Sequence, residues 1–264
     1  KGFFLHIILY ICFIKYLIMR NCYFILFTFC LGFSLNAQIV NIPDFALKYR
    51  LIIANPNTHT ASIHSGNEFG IASSYHTIDI NHDGEIQLYE ALNIQHLTLD
   101  NIYISDFEWI NSFSNLKSLS INYTNFTFDD ISSLVELEYL KCSYNQLSSI
   151  DLSVFPNLQG FNCNYNPITD INLTGLVYLR YFNCNSGLLT NLDLNGLQNI
   201  RYLSCAGNQL TNLNLTGLIN LQELNFSYNQ ITNINLEGLG HLTRLYCSNN
   251  LLTTLNTKNN FISK

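Results

Sequence analysis

Six side chains that carry oxygen or amide groups, Asp79, Asn81, Asp83, Glu85, Gln87 and Glu90, fall within twelve residues, the first five at alternate positions. Calcium takes about six to eight oxygen ligands, so this order suits it. Asp79, Asn81 and Asp83 would present side-chain oxygens, Glu85 its backbone carbonyl, Gln87 a water-bridged contact and Glu90 two carboxylate oxygens. Gly84 allows the sharp turn and Ile86 an apolar anchor. The same Asp, Asn and Gly residues also build ordinary turns, and the chain has a single such stretch. Both readings stand at this point, with calcium the expected cofactor in a structural role. Catalytic chemistry finds little support. No Ser/His/Asp spacing, glycine-rich phosphate loop or repeated carboxylate pair occurs, and His241 is the one histidine deep in the repeats. The chain is read as a non-enzymatic protein.

The elements around this stretch follow from local signals. Phe45 to Ile53 reads as a short helix with Asp44 as its N-cap. Residues 55–74 are rich in Asn, Ser, Thr and Gly and read as loop. A second short helix is expected from Leu88 to Asn93 and would carry Glu90. The order D-x-[DN]-x-[DN]-G-x5-E, matched from Asp79 to Glu90, resembles the calcium loop of EF-hand and dockerin-like sites. That resemblance implies modest affinity, on the order of 10⁻⁴ M or weaker. Ser105 to Glu108 has the form of a capping box opening a helix through Trp109 to Phe113.

From Ile94 onward the chain is organised by repetition. Leucine or isoleucine recurs every 21 residues at Leu116, Leu137, Leu158, Leu179, Ile200, Leu221 and Leu242, and a unit one residue longer opens at Ile94. Between Leu137 and Leu255 the consensus is L-x-x-L-x-C-x-x-N-x-L-x-x-[IL]-x-L-x-x-L. A fixed period of this size marks a solenoid, in which no unit buries its apolar face alone. The pattern resembles the leucine-rich repeats, in particular the short 21-residue type of secreted bacterial proteins. The resemblance implies a leucine-rich repeat solenoid with parallel β-strands on the concave face, a mostly extended or turn convex side, and a small helical N-terminal cap.

Repeat positions then acquire roles. Leu140, Phe161, Phe182, Leu203, Leu224 and Leu245 are expected inside, as are the rows Leu147 to Leu252 and Ile150 to Leu255. Asn145, Asn166, Asn208, Asn229 and Asn250 form a ladder that satisfies backbone groups, interrupted by Gly187. Cys142, Cys163, Cys184, Cys205 and Cys247 share one position and are read as buried free thiols. Strands ~4.8 Å apart hold Cβ atoms beyond disulfide range. Outward positions carry Tyr139, Tyr181 and Tyr202 in one column and Tyr123, Tyr144, Tyr165 and Tyr228 in another. Asn162, Asn183, Asn225, Asn164 and Asn185 lie between them, with Arg180, Arg201 and Arg244 near the edge. Such a wall suits ligand binding on the concave face; packing between aromatic neighbours is the alternative.

Residues 1–18 are read as upstream translated sequence and 19–37 as a secretory signal peptide, with Met19-Arg20 before an apolar run from Cys22 to Leu35. Lys15 and Arg20 break the alternative, a membrane anchor. Residues 38–93 form the cap and 94–264 about eight repeats, expected to be truncated because Thr257 replaces a leucine and no polar cap follows. The net charge of −6 leaves no basic stripe for nucleic acid. The expectation is a secreted or cell-surface protein binding another protein, or serving adhesion, through the concave face. A carbohydrate module built on the Tyr and Asn columns, or a spacer for a further domain, are the alternatives.

Overall fold

The computed structural model describes residues 38–64 and 70–256; residues 1–18, the stretch 19–37 read as a signal peptide, and the tail from Thr257 lie outside the described residues. Eight three-residue strands run parallel in one sheet: β2 (His96–Thr98), β3 (Ser118–Ser120), β4 (Tyr139–Lys141), β6 (Gly160–Asn162), β8 (Tyr181–Asn183), β9 (Tyr202–Ser204), β10 (Glu223–Asn225) and β11 (Arg244–Tyr246). The 21-residue spacing becomes lateral register. Leu97, Leu119, Leu140, Phe161, Phe182, Leu203, Leu224 and Leu245 are paired strand to strand. Each strand centres on that one inward side chain, so its two flanking residues face out. At the head, β1 (Ala61–Ser62) pairs antiparallel with β2 and covers what would be an open edge.

The inward rows form one continuous apolar core. The Phe161 and Phe182 rings lie 6.2 Å apart and nearly parallel. Burial weakens only in the last described coil. There Leu245, Cys247 and Leu252 are partly covered and Leu255 is 42% exposed, so the third inward row stops short of Leu255. Each core residue is covered by the coils on either side of it, and among the described residues no coil lies beyond Leu255.

After each strand the chain turns on a left-handed residue: Asn101, Tyr123, Tyr144, Tyr165, Ser186, Gly207, Tyr228 and Asn249 have φ between 53° and 67°. The asparagine ladder closes this bend. The Nδ2 atom of Asn166 donates to the carbonyls of Cys142 and Cys163, while its Oδ1 accepts from the Asn145 and Leu147 N–H groups. Asn208 and Asn229 repeat the two carbonyl contacts, and each Oδ1 accepts one N–H, from Leu189 and Leu210 respectively. At the gap, Asn208 Oδ1 sits 2.7 Å from where a Gly187 Cβ would be, so the glycine leaves room for the next rung. The convex side is mostly turn, with one short parallel pair, β5 (Ser149–Asp151) and β7 (Asp170–Asn172).

In the cap, α1 (Phe45–Ile52) is capped as expected, Asp44 Oδ1 accepting from the Leu47 N–H at 2.9 Å. Helix α2 (Leu88–Leu92) carries Glu90. The Ser105 to Glu108 box is corrected. The segment Glu108–Phe113 is a 3-10 helix, and Asp106, not Ser105, accepts the Glu108 N–H. Burial of Trp109, Ile110 and Phe113 on one side holds this tighter helix. A further turn, α3 (Phe128–Ile131), is closed by a Thr127–Asp130 capping box. Among the described residues no helix is long and apolar enough to cross a membrane.

Candidate ligand-binding face

The outward residues of the strands stand in files. Tyr139, Gly160, Tyr181, Tyr202, Glu223 and Arg244 form one, and Lys141, Asn162, Asn183, Ser204, Asn225 and Tyr246 the next. The Tyr181 and Tyr202 rings are 6.1 Å apart and tilted, and Asn183 Nδ2 donates to the Tyr181 hydroxyl. Asn183 Oδ1 is buried with no hydrogen-bond partner, which costs free energy unless a donor reaches it. Just before the strands, Arg180 and Arg201 are exposed on adjacent coils, and among the described residues neither forms an ion pair. Arg244, by contrast, is held by Glu223 at 2.8 Å.

The N-terminal part of this face is closed. Gly70 lies against Tyr139, a Cβ there falling 2.7 Å from the Tyr139 Cβ, and its carbonyl accepts from Ser118 Oγ. Tyr139 is therefore only 9% exposed, which removes it from the open ligand-binding wall expected for it. The face opens at a notch over Gly160, between Tyr139 and Tyr181 and beside Lys141 and Asn162. Below the cover, His96 bonds Ser118 Oγ through Nδ1 at 2.9 Å and Thr98 Oγ1 through Nε2 at 3.0 Å. Ser118 gives its proton to Gly70, so Nδ1–H donates to Ser118 and Nε2 accepts from Thr98. Burial lowers the His96 pKa to about 4, Lys141 adding to the effect and Asp100 opposing it. Serine and histidine thus meet, but sealed from any substrate at 2% and 3% exposure.

Tyr123, Tyr144, Tyr165 and Tyr228 are not strand residues; they occupy the left-handed turn at the strand exit. The first three rings stack at 4.1 and 4.3 Å with planes within 12°. Burial between its neighbours and hydroxyl contacts with both push the Tyr144 pKa up to about 12. Asn164 and Asn185, read as ligand-facing, spend Oδ1 on structure: each accepts a backbone N–H of the next coil at 2.7 Å, Asn185 and Ala206 respectively. With Asp100 and Asn122 doing the same for Asn122 and Ser143, they make a second polar ladder. Their 21-residue recurrence was visible in the sequence, but the broken asparagine pattern hid the shared task.

The stretch Asp79 to Glu90 is compact. Asp79 Oδ2 accepts the Gly84 N–H at 3.0 Å, Asp83 Oδ1 the Glu85 N–H at 2.9 Å, and Gln87 Nε2 donates to Asp83 Oδ2 at 2.7 Å. Asn81 Nδ2 bridges Asp83 and Gln87. These bonds, that of the Glu85 N–H first, hold Asp83 below the usual carboxylate range. Glu85 turns its side chain to Lys48, 2.5 Å away. Glu90 is fully buried; Oε1 accepts from Ile80 N–H and Oε2 from Gln87 N–H, capping α2. Among the described residues, no three His, Cys, Asp or Glu side chains converge as a metal cluster. Asp79, Asn81, Asp83 and Gln87 are brought together, whereas Glu90 is occupied as a cap.

Cys142, Cys163, Cys184 and Cys205 stand in a buried file without disulfides, and Cys247 is partly exposed. Burial raises the Cys205 thiol to about 12 and keeps Cys163 and Cys184 well above their ordinary value. They are packing residues, poor as nucleophiles.

The geometry defines a leucine-rich repeat solenoid. A family profile described as leucine-rich repeats in two copies matches residues 135–176. The crystal structure of an internalin C2 from Listeria monocytogenes str. 4b F2365 is similar in fold, with a TM-score of 0.66 and 24% identity over 86% of this chain and 96% of that one. The TLR13–ssRNA13 complex is similar over 65% of this chain and 28% of that one, with a TM-score of 0.53 and 23% identity. No match was found among curated proteins.

Proposed function

We propose that the protein is a secreted or cell-surface binding protein, non-enzymatic, that holds a protein partner on the open concave strands β6, β8, β9 and β10. The observation that carries this reading is the adjacent placement of Tyr181 with Tyr202 and of Arg180 with Arg201. Tyrosine and arginine supply most of the energy in protein interfaces where they cluster. Two guanidinium groups on neighbouring coils, neither in an ion pair among the described residues, favour a partner that brings carboxylates to meet them. Asn162, Asn183 and Asn225 add amides beside the tyrosines, in keeping with an adhesive surface that reads polar groups. Affinity capture from cell-surface extracts, with Tyr181→Ala/Tyr202→Ala as control, tests this. The parent protein should retain a partner that the double variant loses by at least tenfold. Identical capture by both would remove the concave face from the account.

We also propose that the Asp79 to Glu90 loop takes calcium in a structural role. Asp79 and Asp83 lie in the loop and Glu90 on α2 beside it, Asp79 and Glu90 being buried, while Lys48 is engaged by Glu85. Buried carboxylates without a countercharge are costly, and a divalent cation offsets that. A carboxylate offers about four lone-pair directions, so Glu90 can keep its N–H partners and still supply an oxygen. Calorimetry with millimolar calcium should show heat for the parent and none for Asp79→Asn/Asp83→Asn, with the parent also melting at higher temperature in calcium than in chelator. A flat trace for the parent would leave the loop as a plain turn.

A further inference from the structure

The strand-exit column holds a second surface, independent of the concave-face reading. Left-handed backbone suits Asn or Gly, and bulky side chains adopt it at a cost. Asn101, Gly207 and Asn249 obey this preference; Tyr123, Tyr144, Tyr165 and Tyr228 do not. Stacking accounts for the first three, and their exposures fit a pile of rings: 51% for each end, Tyr123 and Tyr165, and 39% for Tyr144 between them. Tyr228 has no such excuse. It is 64% exposed, its column neighbours are Gly207 and Asn249, and no ring stacks on it among the described residues. A strained residue kept without packing points toward binding.

The geometry between Tyr165 and Tyr228 is specific. Three coil steps of ~4.8 Å set them ~14 Å apart, and the two rungs between are Ser186 and Gly207. The pile therefore breaks off at an open face of Tyr165, over a floor without bulk, and resumes at Tyr228. The surroundings are uncharged. The stretches 162–169, 183–190, 204–211 and 225–232, which make this edge over four coils, contain no Asp, Glu, Lys, Arg or His. They offer amides and hydroxyls instead: Asn164, Ser186, Ser227 and Gln209 among them. Ring faces attract the slightly positive C–H side of a sugar ring, while amides and hydroxyls pair with its hydroxyl groups. A charged protein side chain or a phosphate would find no countercharge here.

We infer that the gap over Ser186 and Gly207, walled by Tyr165 and Tyr228, binds a neutral pyranose of a glycan, one ring stacking on the open face of Tyr165. The probes are cellohexaose, maltohexaose, mannohexaose and xylohexaose, titrated by calorimetry. At least one should bind the parent protein. Ser186→Tyr should abolish its binding at least tenfold by filling the gap with the column's own residue type. Tyr228→Asn should weaken binding similarly at a position where asparagine is the natural choice in Asn101 and Asn249. Tyr181→Ala/Tyr202→Ala should leave it unchanged, so failure here and failure of the concave face are read separately. Melting curves check that each variant folds. No binding by any hexasaccharide, equal affinity in a folded Ser186→Tyr or Tyr228→Asn, or loss through the Tyr181/Tyr202 pair instead would each overturn the inference. So would a protein partner whose capture Ser186→Tyr abolishes, since the gap would then hold a polypeptide.

Discussion

Replacing Asn166 by alanine is expected to lower unfolding stability by ~3–5 kcal/mol, more than most single changes. The side chain is 1% exposed and its amide serves two coils at once. Its loss strands the Asn145 and Leu147 N–H groups and the Cys163 carbonyl. The Cys142 carbonyl keeps one donor, from Asn145. Each buried orphan costs ~1–3 kcal/mol. The comparison is Asn212→Ala, on the exposed convex side, where a change within about 0.5 kcal/mol is expected. Urea unfolding followed by circular dichroism measures both. Equal stability of the two variants would mean that the ladder is incidental to the bend.

The second large effect is an acid-side loss of stability set by His96. Its folded pKa of about 4 lies below the ordinary 6.5, because burial disfavours the charged ring. Between those values the unfolded chain takes up a proton that the folded chain refuses. Stability is thus full above about pH 6.5, falls as pH drops through 6.5 toward 4, and levels below; the total is ~3 kcal/mol. Protonation would also force the Thr98 hydroxyl to turn away from Nε2. Asp83 and Asp151 are depressed below 3.8, so their contributions are lost only at lower pH and do not blur this window. Urea midpoints from pH 7.5 to 4 should fall steeply for the parent and less for His96→Gln. Parallel curves would place the acid sensitivity elsewhere.

How far the sequence reached depended on the range of the interaction. Periodicity placed the inward rows, the cysteine file and the asparagine rungs, because each is dictated by neighbours 21 positions away. It even located the gap at Gly187. What it missed came from contacts without a period. The cover on Tyr139 is made by Gly70, a loop residue 69 positions earlier, and no repeat pattern encodes it. The 3-10 helix from Glu108 to Phe113 arose because burying Trp109, Ile110 and Phe113 outweighed a local capping preference. The Tyr165 column reads as an outward position of the concave wall when side-chain type is taken without backbone conformation. Tyrosine gives no warning of a positive φ, whereas Asn101 and Gly207 in the same column do. The donor order from Asp79 to Glu90 was legible, but the capping role of Glu90 was not, since it depends on which N–H groups α2 leaves open.

Every surface described here exists only if residues 21 apart lie one coil above another. Spin labels at Lys117→Cys and Thr243→Cys, with Cys247→Ser to silence the partly exposed thiol, span six such steps. A pulsed dipolar distance centred near ~29 Å, six times the inter-strand spacing, with a narrow distribution is the expected result. A broad distribution, or a centre displaced by 10 Å or more at about the same label length, would contradict the stack.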